Sequence, residues 1–262
     1  MVDGPAGAPP QKDFVQSLDR GIAVIRALSA ENKQLTLSEV ARETGLSRAA
    51  ARRFLLTLAS LNYVGTDGHY FFLKPRVLEL GNAFRRSFSV ATIAQTHLES
   101  LAAKLEEDCS ASVLDAGSIV YTSRAAANRI MSLNLTVGQR LPAFVTSMGR
   151  VLLASIPPAE LDEYFKTYER PQLTPKTITS EKELRRVIDQ VRKQGWAMID
   201  QELEMGVRSI AVPVRDAAGQ VVIAINSSAH ASRVQLQELQ SKVLPSLMRA
   251  SKDIEIDLRL HH

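Results

Sequence analysis

Cysteine and long apolar runs are both scarce in this sequence. The chain of 262 residues contains one cysteine, Cys109, so no internal disulfide can form. A lone thiol suits a reducing cytoplasm, and we expect it to be buried and unreactive. No stretch approaches the ~18 consecutive apolar residues that a membrane span requires, and residues 1–13 lack the apolar region of a signal peptide. The sequence therefore predicts a cytoplasmic protein with no membrane partner.

The motifs of common enzymes and metal sites are also missing. No GxSxG, HExxH, Walker or GxGxxG pattern occurs, and no histidine has a cysteine or histidine partner at metal-ligand spacing. The histidines are His69, His97, His230, His261 and His262. Ser147 would need a histidine and an acid to act as a nucleophile, so we expect it to cap a helix instead. We predict no metal, no cofactor and no catalytic residue.

Positive charge is modest in total but uneven along the chain. The 32 Lys and Arg residues exceed the 28 Asp and Glu residues by four, which alone does not indicate nucleic-acid binding. Residues 44–66, however, contain three arginines and no carboxylate. A local basic surface on an otherwise balanced protein is typical of a DNA-binding domain.

The N-terminal part contains three helical segments. Apolar residues at three- and four-residue spacings predict a first helix over residues 17–29. Thr36 caps a second, short helix, and Glu39, three residues later, completes a capping box. Gly45 marks a turn, and Ser47 caps a third helix. Two helices joined by a short turn with glycine form the helix-turn-helix pattern.

The third helix has an apolar face and a basic face at ~100° per residue. The residues predicted to face a core are Ala51, Phe54, Leu58 and Leu61. The residues predicted to face outward are Arg48, Ala49, Arg52 and Arg53. Leu56 also falls on the outer side, and we expect the following hairpin to cover it. Short side chains permit close approach to the major groove, where arginines bind guanine edges and phosphates. We predict that the four outward residues contact DNA, together with Thr36 and Ser47.

A hairpin follows the third helix. Residues 62–74 have aromatic and β-branched residues on both sides of Asp67-Gly68, a strong signal for a tight turn. This hairpin would form the wing of a winged helix-turn-helix, with His69 at its tip as a further DNA contact. The simpler alternative is a three-helix bundle with a solvated basic face. The hairpin favours the DNA-binding interpretation, because a wing reaches the flanking groove.

The rest of the chain predicts a second domain of mixed structure. We assign residues 1–13, rich in Gly, Pro and Ala, to a disordered lead-in. The other predicted parts are the winged helix-turn-helix at 14–75, a linker helix at 76–89 and the second domain at 90–262. Predicted strands cover residues 110–116, 118–124, 128–136, 207–215 and 220–228. Predicted helices cover residues 148–155, 158–168 and 181–194, and a last helix begins at 232. Hairpin-linked strands interrupted by helices indicate an α+β fold with an antiparallel sheet.

Two groups of motifs resemble the IclR family of bacterial regulators. SLDRGIAVIRAL and LSEVARETGLSRAAARRFLLTLASLNYV are similar to that family's DNA-binding domain. RLPAFVTSMGRVLLAS and GWAMIDQELEMGVRSIAVPVRDAAGQVVIAINSSAHASR are similar to its effector domain. The resemblance covers roughly residues 14–255, and RIMSLNLTVGQRLPAFVTSMGRVLLA is most similar to the Pca/Pob-type regulators of aromatic-acid breakdown.

This resemblance implies a GAF-like effector domain and association into homodimers or tetramers. Family effectors are small organic molecules, commonly carboxylates; in the Pca/Pob group they are 4-hydroxybenzoate, protocatechuate or β-ketoadipate. Matching positions implies effector contacts from Ser147, Met148, Gly149, Asp200, Glu202, Ser209, Asn226 and Ser228. The chain departs from many members at two of these positions and at Ile199, just before Asp200. Ile199 replaces an acid, Ser209 replaces a cysteine and Asn226 replaces a serine.

A carboxylate effector requires a cation or strong hydrogen-bond donors, because burial of an unpaired carboxylate is costly. The matched residues include no cation. The nearest candidates are Arg124, Arg129 and Arg150, since an arginine fork can hold a carboxylate with two hydrogen bonds. The alternative is that all three are surface arginines. We predict that at least one points into the effector pocket.

Three functions remain to be separated. The leading interpretation is a ligand-responsive regulator that binds a palindromic operator as a symmetric pair. An enzyme that acts on a small carboxylic acid is the second, and the absence of a catalytic motif argues against it. A chromosome-binding protein without a ligand is the third, and the large second domain argues against that.

Overall fold

The computed structural model describes residues 14–29, 34–81, 89–127 and 135–260. The chain divides between Ser87 and Phe88 into two compact units. No helix within the described ranges has both the length and the apolarity to cross a bilayer.

Three helices and a small antiparallel sheet form most of the described part of the N-terminal unit. The elements are α1 (Gln16–Ser29), β1 (Leu35–Thr36), α2 (Leu37–Thr44), α3 (Arg48–Ser60), β2 (Val64–Thr66) and β3 (Tyr70–Leu73). The strands lie in the order β1-β3-β2. Their core includes Val24, Val40, Leu55 and Val64, all essentially inaccessible to solvent.

Side-chain caps set the limits of the helix-turn-helix, as predicted. Thr36 Oγ1 accepts a hydrogen bond from the amide of Glu39, and the Glu39 carboxylate accepts one from the amide of Thr36. Gly45 ends α2 in the left-handed conformation at φ 65°, which glycine adopts without strain. Ser47 accepts a hydrogen bond from the amide of Ala50 and begins α3.

The apolar face of α3 differs from the predicted one. Leu55 is completely buried between the turns of Ala51 and Leu58. Leu61, predicted to be in the core, is half exposed because the helix ends at Ser60. The hairpin also leaves Leu56 46% exposed, so the prediction that it covers this residue was wrong.

The chain leaves the hairpin through a short helical turn. Lys74 precedes a 3-10 helix at Pro75–Val77, and residues 78–81 continue as helix. Residues 82–88 of the predicted linker helix lie outside the described ranges.

The second unit contains a six-stranded antiparallel sheet in the order β6-β5-β4-β9-β8-β7. Its strands are β4 (Asp108–Asp115), β5 (Ser118–Ala125), β6 (Arg140–Pro142), β7 (Ala197–Asp200), β8 (Val207–Arg215) and β9 (Val221–His230). Its helices are α4 (Ser89–Leu105), α5 (Ser147–Leu153), α6 (Pro158–Thr167), α7 (Glu181–Gln194) and α8 (Leu244–Leu260). The predicted α+β fold is confirmed.

Helices cover both faces of this sheet. Helices α4 and α8 pack on one face, against residues such as Cys109, Ile210 and Ile225. Helices α5, α6 and α7 pack on the other face, around Tyr121 and Ala211. Burial raises the pKa of the Cys109 thiol to about 12, which agrees with the predicted buried, unreactive cysteine.

Several predicted boundaries need correction. The last helical region begins at Leu236–Glu238 rather than at 232, and a π-helical segment, Leu239–Val243, leads into α8. The predicted strand at 128–136 lies mostly outside the described residues, and its last two residues are not in a strand. The short strands β6 and β7 were not predicted.

Candidate functional site

The outer surface of α3 presents the predicted DNA-contacting side chains. Ser47, Arg48, Ala49, Arg52 and Arg53 are all exposed, and α3 contains no acidic residue. None of the three arginines forms an ion pair with another residue that the structure describes. The first turns of α3 can therefore offer both hydrogen-bond donors and positive charge to an anionic partner.

The two other predicted DNA contacts are placed differently. The Thr36 hydroxyl bonds the Glu39 side chain and amide, so its first role is to cap α2. His69 is exposed at the tip of the β2–β3 hairpin. Asp67 shapes that tip, because its carboxylate accepts hydrogen bonds from the amides of Tyr70 and His69. These bonds lower the pKa of Asp67.

In the second unit, the start of α5 brings two predicted effector residues against the sheet. Thr146, not Ser147, caps the helix by accepting the amide of Gly149 at 3.1 Å. The Ser147 hydroxyl instead lies 2.8 Å from the Ser209 hydroxyl of β8. A Cβ on Gly149 would lie 2.1 Å from the Ala143 carbonyl oxygen, so this close packing requires glycine. The Met148 side chain is buried against β4, where its sulfur accepts a hydrogen bond from the Ser112 hydroxyl.

Strand β9 adds two further polar residues on the face that α5 covers. Ser228 is directly across from Ser209 of β8, and residues directly across from one another share a face of the sheet. The Asn226 Nδ2 atom donates to the Ser228 hydroxyl at 3.0 Å. The Asn226 Oδ1 atom is buried and has no partner among the described residues.

Arg150 and Glu202 form a buried ion pair rather than two separate effector contacts. The guanidinium binds both carboxylate oxygens, with Nη1 2.9 Å from Oε1, and its Nε donates to the Phe144 carbonyl. The Ile178 amide also donates to the Glu202 carboxylate. Arg150 is only 2% exposed. Its charge is neutralised internally, so it is not the available cation that the sequence suggested.

Asp200 is not brought together with the serines. Ile199 is directly across from Ser209, and Asp200 is across from Arg208. Because successive side chains alternate between faces, Asp200 lies on the opposite side of the sheet. Burial acts to raise the pKa of Asp200, but hydrogen bonds from Arg208 and Lys176 dominate and lower it to about 2.

Arg124 remains on the same face as the serines. It is directly across from Ser110 of β4, and its guanidinium donates to Asp108 at 2.7 Å and to the Leu135 carbonyl. Arg129, the third predicted cation, lies outside the described residues. Ser110 was missed from the sequence, where an isolated serine in an apolar strand gives no signal of its own.

A winged helix-turn-helix with a basic outer helix, followed by a separate unit with a buried polar cluster, defines a class of DNA-binding regulators with a ligand-sensing domain. The IclR helix-turn-helix domain matches residues 17–68, and the bacterial transcriptional regulator IclR C-terminal domain matches residues 83–256. The chain belongs to the IclR family. It is a ligand-responsive transcription regulator and not an enzyme.

Individual relatives agree with this assignment. The chain is 43% identical to the Pca regulon regulatory protein of Pseudomonas putida, over 92% of this chain and 84% of that protein. A transcriptional regulator of Rhodococcus sp. RHA1 is 49% identical with a TM-score of 0.87, covering 95% of this chain and all of that one. The inducer-binding domain of a double mutant of the Acinetobacter PobR transcription factor, solved with 3-hydroxybenzoic acid, is 34% identical with a TM-score of 0.60. That match covers 63% of this chain and 96% of the domain.

The buried Arg150–Glu202 pair generates a prediction about stability. Arg150→Met leaves the Glu202 carboxylate buried without its cation, so we expect the free energy of unfolding to fall by about 3–5 kcal/mol. Arg150→Met/Glu202→Leu removes both charges and should recover most of that loss. The single tryptophan, Trp196, lies in the second unit, so its fluorescence during urea unfolding measures this unit alone.

The matched control is Arg249→Met, which removes an exposed arginine of α8. We expect a change within about 0.5 kcal/mol. An Arg150→Met variant as stable as the Arg249→Met control would show that Glu202 is not left as a costly buried charge when its partner is removed.

Proposed function

We propose that this protein controls genes for the breakdown of small aromatic acids, in the cytoplasm, by binding a palindromic operator as a homodimer. An aromatic acid that enters the second unit changes the affinity for that operator. The main support is the buried polar cluster around Ser209 and Asn226, in a chain 43% identical to a Pca regulon regulatory protein. Whether transcription is repressed or activated depends on where the operator lies relative to the promoter.

The exposed face of α3 is the proposed DNA-reading surface. A recognition helix places its N-terminal residues against base edges in the major groove. In α3 these are Arg48, Ala49, Arg52 and Arg53. Arginine binds guanine edges with two hydrogen bonds. A helix N-terminus with a hydroxyl cap such as Ser47 can bind a backbone phosphate. His69, at the hairpin tip, is placed to contact the flanking backbone.

The DNA-binding proposal predicts the effect of removing two arginines. Arg48→Ala/Arg52→Ala should weaken operator binding at least tenfold, since one lost base contact costs about 1–3 kcal/mol. Each lost phosphate contact should also reduce the salt-dependence slope by roughly one unit. Fluorescence anisotropy with DNA from upstream of the gene, with and without 4-hydroxybenzoate or protocatechuate, measures both effects and the response to the acid.

Arg249→Ala provides the control for this experiment, because it removes an exposed arginine that lies in the second unit rather than on α3. Its operator affinity should match that of the parent protein. Unchanged affinity and slope in the double variant would contradict α3 as the DNA-reading helix. An operator affinity that no aromatic acid alters would contradict the proposed effector class.

The exposed apolar face of α1 is the proposed dimer contact. Leu18 and Ile22 of α1 are four residues apart and are 63% and 41% exposed, and Phe14, just before the helix, is 48% exposed. Residues at this spacing share one face of a helix, and an apolar stripe of this kind is normally covered in a stable protein. The same stripe on a second copy would cover it symmetrically, as palindromic DNA requires.

The dimer proposal predicts that a charge on this stripe separates the subunits. Leu18→Glu should shift the mass measured by light scattering at micromolar concentration to that of a monomer, because pairing would bury two unpaired carboxylates. Leu173→Glu, at an exposed leucine of the second unit, should leave the assembly unchanged. A Leu18→Glu protein that remains dimeric would exclude α1 as the contact.

Arg124 is the proposed cation for the effector carboxylate. Both arginines are paired with an acid, but the side chain of Arg150 is only 3% exposed, whereas that of Arg124 is 14% exposed and lies beside Ser110, near the edge of the polar cluster. Its partner Asp108 is across from Ser228. An acid that binds Arg124 would therefore compete with Asp108 for the guanidinium.

This competition predicts opposite effects from the two partners. Arg124→Met should weaken the binding of 4-hydroxybenzoate at least tenfold in calorimetry, because the carboxylate loses a charge-assisted bond. Asp108→Asn removes the competing charge and should maintain or raise the affinity. If Arg124 is only structural, both variants should lose affinity alike. If Arg124→Met binds the acid as tightly as the parent, the acid is held by hydroxyls and amides alone.

A further inference from the structure

A row of polar side chains crosses the centre of the large sheet on the face that α5 covers. The row consists of Ser110 of β4 with Asn226 and Ser228 of β9. Ser110 is directly across from Asn226, so their side chains share one face. Ser228 is across from Ser209, which links the row to the hydroxyl pair of Ser147 and Ser209.

Two polar groups in this row are available to a ligand. Asn226 is 4% exposed, and its Oδ1 atom has no hydrogen-bond donor within the described ranges. Ser110 is equally buried, and its hydroxyl makes no hydrogen bond to any residue that the structure describes. Buried polar side-chain atoms in folded proteins are usually hydrogen-bonded, so an unsatisfied acceptor beside a free hydroxyl requires an explanation.

A bound ligand with its own hydroxyl group would satisfy both. Asn226 Oδ1 is an acceptor and needs a donor. A carboxylate, which has only acceptors when ionised, cannot supply one. A phenolic hydroxyl donates one hydrogen bond and accepts another, so it can donate to Asn226 Oδ1 while it accepts from the Ser110 hydroxyl. The residues adjacent to Asn226 on this face are the small Ala211 and Ala224, which suit the flat ring that bears such a hydroxyl.

We infer that Asn226 and Ser110 form a subsite for the ring hydroxyl of a hydroxylated aromatic acid. This subsite rests on the proposed function, because it assumes that an aromatic acid is the effector. The subsite explains how the protein would select hydroxylated acids among the aromatic acids. A site with a buried acceptor for a ligand hydroxyl rejects the analogue that lacks the hydroxyl, since the acceptor then stays unsatisfied.

The test combines removal of the ligand hydroxyl with removal of its acceptor. Calorimetry compares 4-hydroxybenzoate with benzoate on the parent protein and on Asn226→Leu, which replaces the amide by an apolar group of similar size. We expect the parent to bind the hydroxylated acid at least tenfold more tightly, and the variant to bind the two acids within about twofold of each other. Ser110→Ala should reduce the same preference.

Ser227→Ala is the matched control. Ser227 is the next residue of β9, is also fully buried, and is across from Cys109 and Ile210, on the α4 and α8 side of the sheet. The Ser227→Ala variant should prefer 4-hydroxybenzoate over benzoate as strongly as the parent protein does. Thermal melting confirms that each variant is folded. If Asn226→Leu does not fold, Asn226→Ser replaces it, because serine keeps a hydrogen-bond acceptor. Asn226→Ser should retain part of the preference for the hydroxylated acid.

The outcomes separate the subsite from the proposed function. If both acids bind the parent but with equal affinity, or if Asn226→Leu keeps the full preference, the hydroxyl subsite is wrong and the aromatic-acid function stands. If Asn226→Leu weakens the binding of both acids equally, Asn226 presents its NH₂ group to the carboxylate that the two acids share. The assignment of the hydroxyl subsite is then again wrong. If neither acid binds the folded parent, the proposed function fails and the subsite fails with it.

Discussion

The buried pair of Arg150 and Glu202 connects the start of α5 to the loop after β7, beside the candidate effector site. Arg150 connects α5 to the Phe144 carbonyl, and Glu202 connects the loop after β7 to the amide of Ile178. The two side chains come from positions 52 residues apart, so one interaction fixes three segments. Ser147 lies one turn before Arg150, and Ser209 follows the loop of Glu202. Such a pair contributes little net stability compared with apolar packing; its main effect is to position the two hydroxyls 2.8 Å apart.

Strand alternation then decides which residues of β7 belong to the site. The family resemblance placed Asp200 in the effector pocket, but Asp200 shares its face with Arg208, and Ile199 shares its face with Ser209. The same resemblance implies an acid at position 199 in many family members, where this chain has Ile199. An isoleucine there would remove a negative charge beside the proposed site for an anionic effector. An apolar side chain there also suits the ring of an aromatic acid.

The sequence predicted those features that depend on neighbouring residues. Thr36, Glu39 and Gly45 set the limits of α2 through local hydrogen bonds and backbone freedom, and the limits of α7 follow from an amphipathic pattern that ends at Gly195. Features that depend on distant partners were not predictable. The pairing of Arg150 with Glu202 is invisible in a linear pattern, and the choice of Thr146 over Ser147 as a cap depends on the packing of Gly149 against Ala143. Strands as short as β6 and β7 contain too few residues to show alternation.

Charge pairing within the second unit constrains how an anionic effector could act. Three largely buried arginines of this unit are already matched: Arg150 by Glu202, Arg208 by Asp200, and Arg124 by Asp108. A carboxylate that binds Arg124 would share the guanidinium with Asp108 or replace it. Asp108 also accepts a hydrogen bond from the amide of Ala127, at the end of β5. Withdrawal of Arg124 would leave this carboxylate with an amide as a remaining partner and a larger desolvation cost. A rearrangement of the Asp108 side chain would then shift Ala127, just after β5. Binding of an effector at Arg124 would in this way change the conformation of the chain.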